Sequence, residues 1–396
     1  MGEVNAVASM YPTAPDEVLG VNATLDGVLL GTDGSVAKMK SAHQLCDRVI
    51  ASDAIVKLRL AAANLRNTGQ PFWMGYGARK PHLSFRFPAP FKQFVPALET
   101  TRTAEHPVLN ADVPPIAHGD HAPGSDPYTP VSKSIAQQWR FTYYATVAWV
   151  DSQIGRVLDE LDHLNLTDTT LVVLHSDHGW SLGEHGEWQK FSNFEHGTRV
   201  PLIIRAPWLA RSIGQRSTVL AELIDIYPTV LDIIGIDPPK GESLDGRSLA
   251  PIFAAPSDVP AAVALKPFAL SQFMRCPGDV TNTSTFWKAN SCEFTDRVLF
   301  PFMGYTLRTP EWRYTEWTKW NATALAPDHT PEGLVGVELY AHADCGVNWG
   351  ADYSFDAWEN ENVAQATPAV VAQMRALLHA VQANQTRIKS LRGVSS

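Results

Sequence analysis

No stretch of about 18 consecutive apolar residues occurs in this 396-residue sequence, so no transmembrane helix is encoded. Runs of Lys or Arg are lacking as well. The 32 basic residues are outnumbered by 41 acidic ones, a net charge of -9 with neutral histidines, and a general nucleic-acid binder needs clustered cations. The opening residues, MGEVNAVASMYPTAPDEV, contain Glu3 and have no apolar core, which is not the pattern of a signal peptide. Repeats and low-complexity tracts are missing, which excludes solenoids and arrays. Cysteine is scarce: four residues allow two disulfides or four reduced thiols.

What is present is a globular composition. Hydrophobic residues at 45% and charged residues at 18% can bury a sizeable core. At roughly 150 residues per domain the length fits two or three domains, or one large domain with an appendage. Two features point to an extracellular or lumenal life. Asn-x-Ser/Thr acceptors stand at Asn22, Asn165, Asn282, Asn321 and Asn384, each a surface position if glycosylated. Cys276 and Cys292 flank a polar, Asn-rich loop of the kind a disulfide can staple, whereas Cys46 and Cys345 have no evident partner. These features say secreted while the N-terminus does not, so a portion upstream of Met1 is expected to be missing.

Along the chain, Leu45, Val49, Ile50, Ile55, Val56, Leu58, Leu60 and Leu65 predict a helix over residues 41–65. The run PFWMGYGA, residues 71–78, reads as a buried strand, and residues 87–130, rich in Pro and without a period, as a long surface-hugging excursion. From Ser134, apolar residues recur at three- and four-residue intervals to Leu161, a second helix. TTLVVLHSDHG is a continuous apolar run that ends in a polar cluster, the pattern of a central strand in a parallel sheet covered on both faces. VPLIIRAP is a further strand, and LAELIDIYPTVLDIIG a helix. Strands alternating with helices predict a doubly wound α/β sheet, with its chemistry at the carboxyl ends of strands. After Pro251, short alternating aromatic strands and a last helix, ATPAVVAQMRALLHAVQ, predict a small antiparallel sheet with a terminal helix. The division is placed between a first domain, 1–260, and a C-terminal subdomain, 261–396.

The densest chemistry is SDHGWSLGEHGEWQKFSNFEHGTRVP, residues 176–201. Asp177 and His178, at a strand end, can ligate one cation from a rigid base, and Lys190 brings a positive charge back toward them. Glu195 and Arg199 lie four apart on the way into the next strand. An Asp-His pair at a strand end also serves as turn and cap, and a loop lysine is often only solvated.

SDHGW-x-LGEHGEW-x-K resembles, nearly residue for residue, the motif of the sulfatase family in its iduronate-sulfatase branch, whose fold is alkaline-phosphatase-like. GYGARKPHLSFRFPAPF and MGYTLRTPEWRYTEW, followed by ELY, resemble further segments of that family, so the likeness runs from about Phe72 to the last helix. The resemblance implies a sulfuric ester hydrolase acting on sulfated carbohydrate, in lysosomes or outside the cell. It implies that Asp177 and His178 ligate a divalent cation, normally Ca2+, and that Lys190 binds the sulfate ester. His82 would assist departure of the alcohol as a general acid. Trp180 and Glu184 would shape the sugar pocket, or merely pack the loop; Lys80 and Arg79 would meet a substrate carboxylate, or form a solvated basic loop.

One part of the pattern is absent. Sulfatases of this kind carry a Cys-x-Pro-Ser-Arg motif whose cysteine becomes the nucleophile. Here the cysteines read CDRVI, CPGDV, CEFTD and CGVNW, and no Asp-Asp pair occurs. The expectation is therefore an N-terminally incomplete sulfatase, weakly active or inactive, with an incomplete set of metal ligands. A catalytically dead glycan-binding relative and a phosphoester or phosphonate hydrolase of the same superfamily are the competing readings.

Overall fold

The computed structural model describes residues 45–119, 125–277, 287–288, 292, 294–342 and 359–391. Asn22, Asn282, Cys345 and the first 44 residues lie outside these. The chain divides into two compact units. The first comprises residues 1–104, 123–125 and 131–171, and the second residues 105–122, 126–130 and 172–396.

In the first unit, helix α1 (Cys46–Thr68) turns Ala51, Ala54, Leu58 and Ala62 inward. It stops at Gly69, whose left-handed φ of 72° lets its amide close on the Leu65 carbonyl. Helix α2 (Lys133–His163) starts behind Ser132, whose Oγ accepts from the Ile135 amide. The two helices meet through Ala51, Ala54 and Val157, and Arg59 donates twice to the Glu160 carboxylate at 2.8 Å. Phe141, Ala145 and Trp149 of α2 pack against Leu45, Phe87 and Phe91.

Two expectations fail here. Residues 71–78 form no strand. Phe72, Met74 and Tyr76 alternate with exposed neighbours, and Met74 and Tyr76 pack on the α1–α2 core, but no strand among the described residues pairs with this backbone. Alternation records burial, and a strand also needs a ladder partner. Residues 87–130 are not merely surface-hugging: Phe87 and Phe91 are buried in the first unit and Leu109, Val113 and Ile116 in the second.

In the second unit, β1 (Val172–His175) pairs with β4 (Leu202–Arg205), and the pairing is antiparallel, with Val173 opposite Ile204. The apolar run of β1 predicts instead a parallel, doubly covered strand. Such a run reports tolerance of burial on both faces and says nothing of partner direction, and β1 is only half-buried with Ile203 of β4 exposed. Between them come the two-residue strands β2 (Ser181–Leu182) and β3 (Trp188–Gln189), paired as a tight hairpin, and the short helix α3 (Glu195–Thr198). Helices α4 (Ile226–Ile234) and α5 (Val259–Leu265) follow.

The expected antiparallel sheet is present. Strands β5 (Ala269–Pro277), β6 (Trp287–Lys288), β7 (Phe302–Arg308), β8 (Trp312–Asn321), β9 (Ala326–Pro327) and β10 (Leu334–Ala341) run in the order β10-β8-β7-β5-β6, with β9 on β8. Helix α6 (Pro368–Leu391) covers one face, packing Met374 and Leu378 on Leu307, Tyr314 and Leu339. On the other side of the strands Trp317 and Tyr340 join Leu109, Val113, Ile116 and Phe194. Cys276 and Cys292 form a disulfide with Cα atoms 5.6 Å apart.

Candidate active site

The loop between β1 and β4 is held in shape by buried groups that have no outward task. Gly179 has no room for a side chain, because a Cβ there would collide with the His196 carbonyl. Gly183, at φ 107°, turns the chain between β2 and β3. Glu184 accepts from the Leu182 amide, and Glu187 accepts from the Gly119 amide and from Ser192 Oγ at 2.7 Å. Burial pushes the Glu187 carboxyl up to about 7, against those two hydrogen bonds and the nearby Arg275 charge. Both glutamates of GEHGEW therefore brace the loop. Arg275, fully buried on β5, adds the largest brace: its guanidinium donates to the carbonyls of Ile116, Ala117, His118 and Phe191 at 2.8 to 3.1 Å.

On this frame the polar residues of the motif come together. His178 Nδ1 lies 2.8 Å from the Gly179 carbonyl and so must carry the proton it donates, which leaves Nε2 as an acceptor in the neutral ring. Nε2 is 3.3 Å from Asp177 Oδ2. Two acceptors that close need a proton or a cation between them. Burial works against ionisation of Asp177, but the charge His178 carries when protonated, the amides of Asp177 and His178, and Lys190 together hold its carboxyl below the usual range. The Lys190 ammonium lies over the rings of Trp180 and Phe191, at 5.5 and 5.8 Å from their centroids. Asp177, His178 and Lys190 all line one cavity of about 1190 Å³.

Strand β7 contributes a residue to this cavity, Arg308, to which the sequence alone assigns no role. Arg308 donates from Nε to Glu195 Oε1 at 3.3 Å, while its buried Nη1 has no hydrogen-bond partner among the described residues. Glu195 also faces Arg199 at 3.6 Å. Nothing local in TLRTP marks this arginine, because its partner is 113 residues away. The two-residue donor set of Asp177 and His178 falls short of a calcium shell of six to eight oxygens. Among the described residues no third His, Cys, Asp or Glu joins the pair.

Lys80 and His82 belong to the first unit. Lys80 is buried, and its ammonium is tied to the carbonyls of His82 at 2.8 Å and Ser84 at 2.5 Å. Burial pushes it down to about 8, against the attraction of Asp47. Asp47 in turn accepts from the Arg79 and Lys80 amides, so the KPH loop is anchored by its own polar groups. His82 is exposed, with Nδ1 2.8 Å from the Leu83 carbonyl, which again leaves Nε2 as the outward nitrogen.

Comparison with known proteins bears on the family and the fold. Human iduronate 2-sulfatase is 30% identical over 310 residues, covering 65% of this chain and 54% of that protein. The chain thus spans about half the length of this relative. Among solved structures, the phosphonate monoester hydrolase of Agrobacterium radiobacter superposes with a TM-score of 0.63 at 21% identity, covering 94% of this chain and 66% of that one. A protein solved in complex with its substrate D-glucosamine-2-N,6-O-disulfate gives 0.58 at 20% identity, covering 88% and 71%. The fold is therefore that of the sulfatases and alkaline-phosphatase-like proteins. The sulfatase family itself matches residues 34–236, just over half of the sequence and the whole span from α1 through the Asp177 loop to α4, and the chain belongs to that family.

Proposed function

We propose that the chain forms the sulfate-binding and leaving-group side of a sulfuric ester hydrolase of the iduronate-2-sulfatase type, acting on sulfated glycans. The observation that carries this reading is the convergence of Lys190, Asp177 and His178 on one cavity. Lys190, held against aromatic faces, neutralises charge on the sulfate ester as its bond to the alcohol oxygen weakens. His82, in the first unit, is assigned as the general acid: as the imidazolium it holds a donatable proton on Nε2 while its Nδ1–H stays on the Leu83 carbonyl. Arg308 and Arg199 favour further anionic groups of the glycan, and Trp180 forms part of the sugar pocket.

Members of the family generally bind a divalent metal. We assign Asp177 and His178 to it, with Ca2+ as the ion, which would stabilise charge on the sulfate oxygens when bound. The pair alone holds it weakly. The nucleophile is a separate matter, because none of the four cysteines lies in a Cys-x-Pro-Ser-Arg context. The chain as given is therefore expected to bind sulfate esters and to turn them over slowly or not at all. Exposed Asn165 and Asn321 and the Cys276–Cys292 disulfide support a lysosomal or secreted setting, and no described helix is long and apolar enough to cross a membrane.

Binding of a sulfated disaccharide, measured by calorimetry beside its phosphorylated and desulfated counterparts, tests the reading. Lys190→Ala is expected to weaken sulfate-ester binding by about tenfold or more, roughly the value of one charged hydrogen bond. Preference for the phosphorylated sugar, or no loss in Lys190→Ala, overturns it. An aryl sulfate and an aryl phosphate, each assayed with and without Ca2+, measure turnover. Turnover of the phosphate alone favours the phosphoester alternative.

A further inference from the structure

The C-terminal sheet carries a second constellation of ligating side chains, outside the Asp177 loop. Glu316 projects from β8 and is 2% exposed. Its Oε1 accepts from Tyr314 Oη at 2.7 Å and from Arg375 Nε at 2.5 Å. Its Oε2 accepts from His379 Nε2 at 2.7 Å. His379 lies on α6, one turn beyond Arg375. His329 is presented by the turn after β9, and its ring centroid is 4.1 Å from that of His379. That turn is built in advance: Asp328 Oδ1 accepts from the Thr330 amide at 3.0 Å and from Thr330 Oγ1 at 2.7 Å. One ligand atom from each of Glu316, His329 and His379 lies within 4.8 Å of the others.

We propose that Glu316, His329 and His379 form a binding site for a borderline divalent transition ion of the Zn2+ class, which fastens α6 to the sheet. Two imidazoles and one carboxylate are a donor set suited to Zn2+ and poorly suited to Ca2+ or Mg2+, which take oxygen ligands. Tyr314 and Arg375 hold the carboxylate from Oε1, so Oε2 is oriented in advance of the ion. Bonds of about 2.0 to 2.1 Å put tetrahedral ligand atoms about 3.3 Å apart, so Glu316 Oε2 and His379 Nε2, now 2.7 Å apart, separate to admit the ion, and His329, exposed on its turn, swings to complete the set. Ion entry takes the place of the proton that His379 Nε2 now shares with Glu316, and that proton leaves to solvent. A fourth position falls to water, because the three protein ligands leave one side of the exposed His329 open.

Calorimetric titration of the full chain with ZnCl2 at neutral pH, with thermal unfolding in parallel, tests the site. The expected result is one ion bound with micromolar affinity, a Tm that rises with Zn2+ concentration, and no competition from excess Ca2+. His329→Ala, an exposed position whose replacement leaves the core untouched, is expected to weaken Zn2+ binding at least tenfold and remove the Tm rise. His178→Ala is expected to change neither. With Co2+ as probe, the visible absorption of a tetrahedral complex is expected in the wild type and not in His329→Ala. Absence of Zn2+ binding, binding that survives in His329→Ala, or binding lost in His178→Ala each overturns the assignment.

Discussion

His178 shows how one backbone contact can set up a side chain for chemistry. By donating Nδ1–H to the Gly179 carbonyl it turns Nε2 into an acceptor facing Asp177, and the pair becomes a place for positive charge. The pair proposed for that role is legible in the sequence, since an acid and an imidazole stand side by side at the end of an apolar run. The role of Glu187 is not. In GEHGEW it reads like any other loop acid, yet it is buried and its carboxyl is raised from 4.5 to about 7. A raised folded value means stability that is fully present below pH 4.5 and is lost as pH climbs through about 7. Glu187 therefore makes the protein more stable at acidic pH, by on the order of 3 kcal/mol for a shift of this size. Denaturant melts between pH 4.5 and 7.5 are expected to show this slope, and Glu187→Gln, neutral throughout, to flatten it. An unchanged slope in the variant would assign the pH dependence elsewhere.

At the scale of elements, Arg275 is the joint between β5 and the motif loop. Its guanidinium satisfies four carbonyls and lies 4.4 Å from the Trp317 ring. Arg275→Lys keeps the charge but loses the fork, stranding buried carbonyls, and is expected to cost about 3 to 5 kcal/mol, read as a lower urea midpoint with the slope unchanged. A loss below 1 kcal/mol, the range of exposed charges, would mean the carbonyls find other partners. The long elements are readable in the amino-acid pattern alone: α1, α2 and α6 carry sustained helical periods, and β7 and β8 alternate around turn residues. What is not readable depends on partners. Residues 71–78 alternate like a strand without one beside them, and β1 pairs antiparallel because its apolar run leaves direction open. The proposed boundary at 260 falls inside α5, where composition changes but the helix does not. Arg308 is unreadable for the same reason as Arg275, since each acquires meaning only from a residue far away in sequence.

For the molecule as a whole, the net charge of -9 and the sulfated ligand proposed above stand opposed, because an acidic protein repels anions at long range. The cavity resolves this locally. Its lining includes Lys190, Arg199, Arg216, Arg308 and Arg313 against only Asp177, Glu195 and Glu222, a cationic excess inside an acidic chain. Such an arrangement favours polyanions that reach into the cavity over those that approach the surface. Its two parts respond differently to salt. Between about 10 mM and 1 M salt the Debye length contracts from about 30 Å to about 3 Å, which removes long-range repulsion first and then weakens the contacts in the cavity. Affinity for a sulfated disaccharide is expected to rise slightly or hold at low salt and then fall by about tenfold toward 1 M, while a desulfated sugar shows neither change. Arg308→Gln, which leaves the Lys190 loop intact, is expected to make the fall shallower without abolishing binding. A monotonic, equal response of sulfated and desulfated sugars, followed by titration calorimetry at each salt concentration, would show that the cationic lining plays no part in recognition.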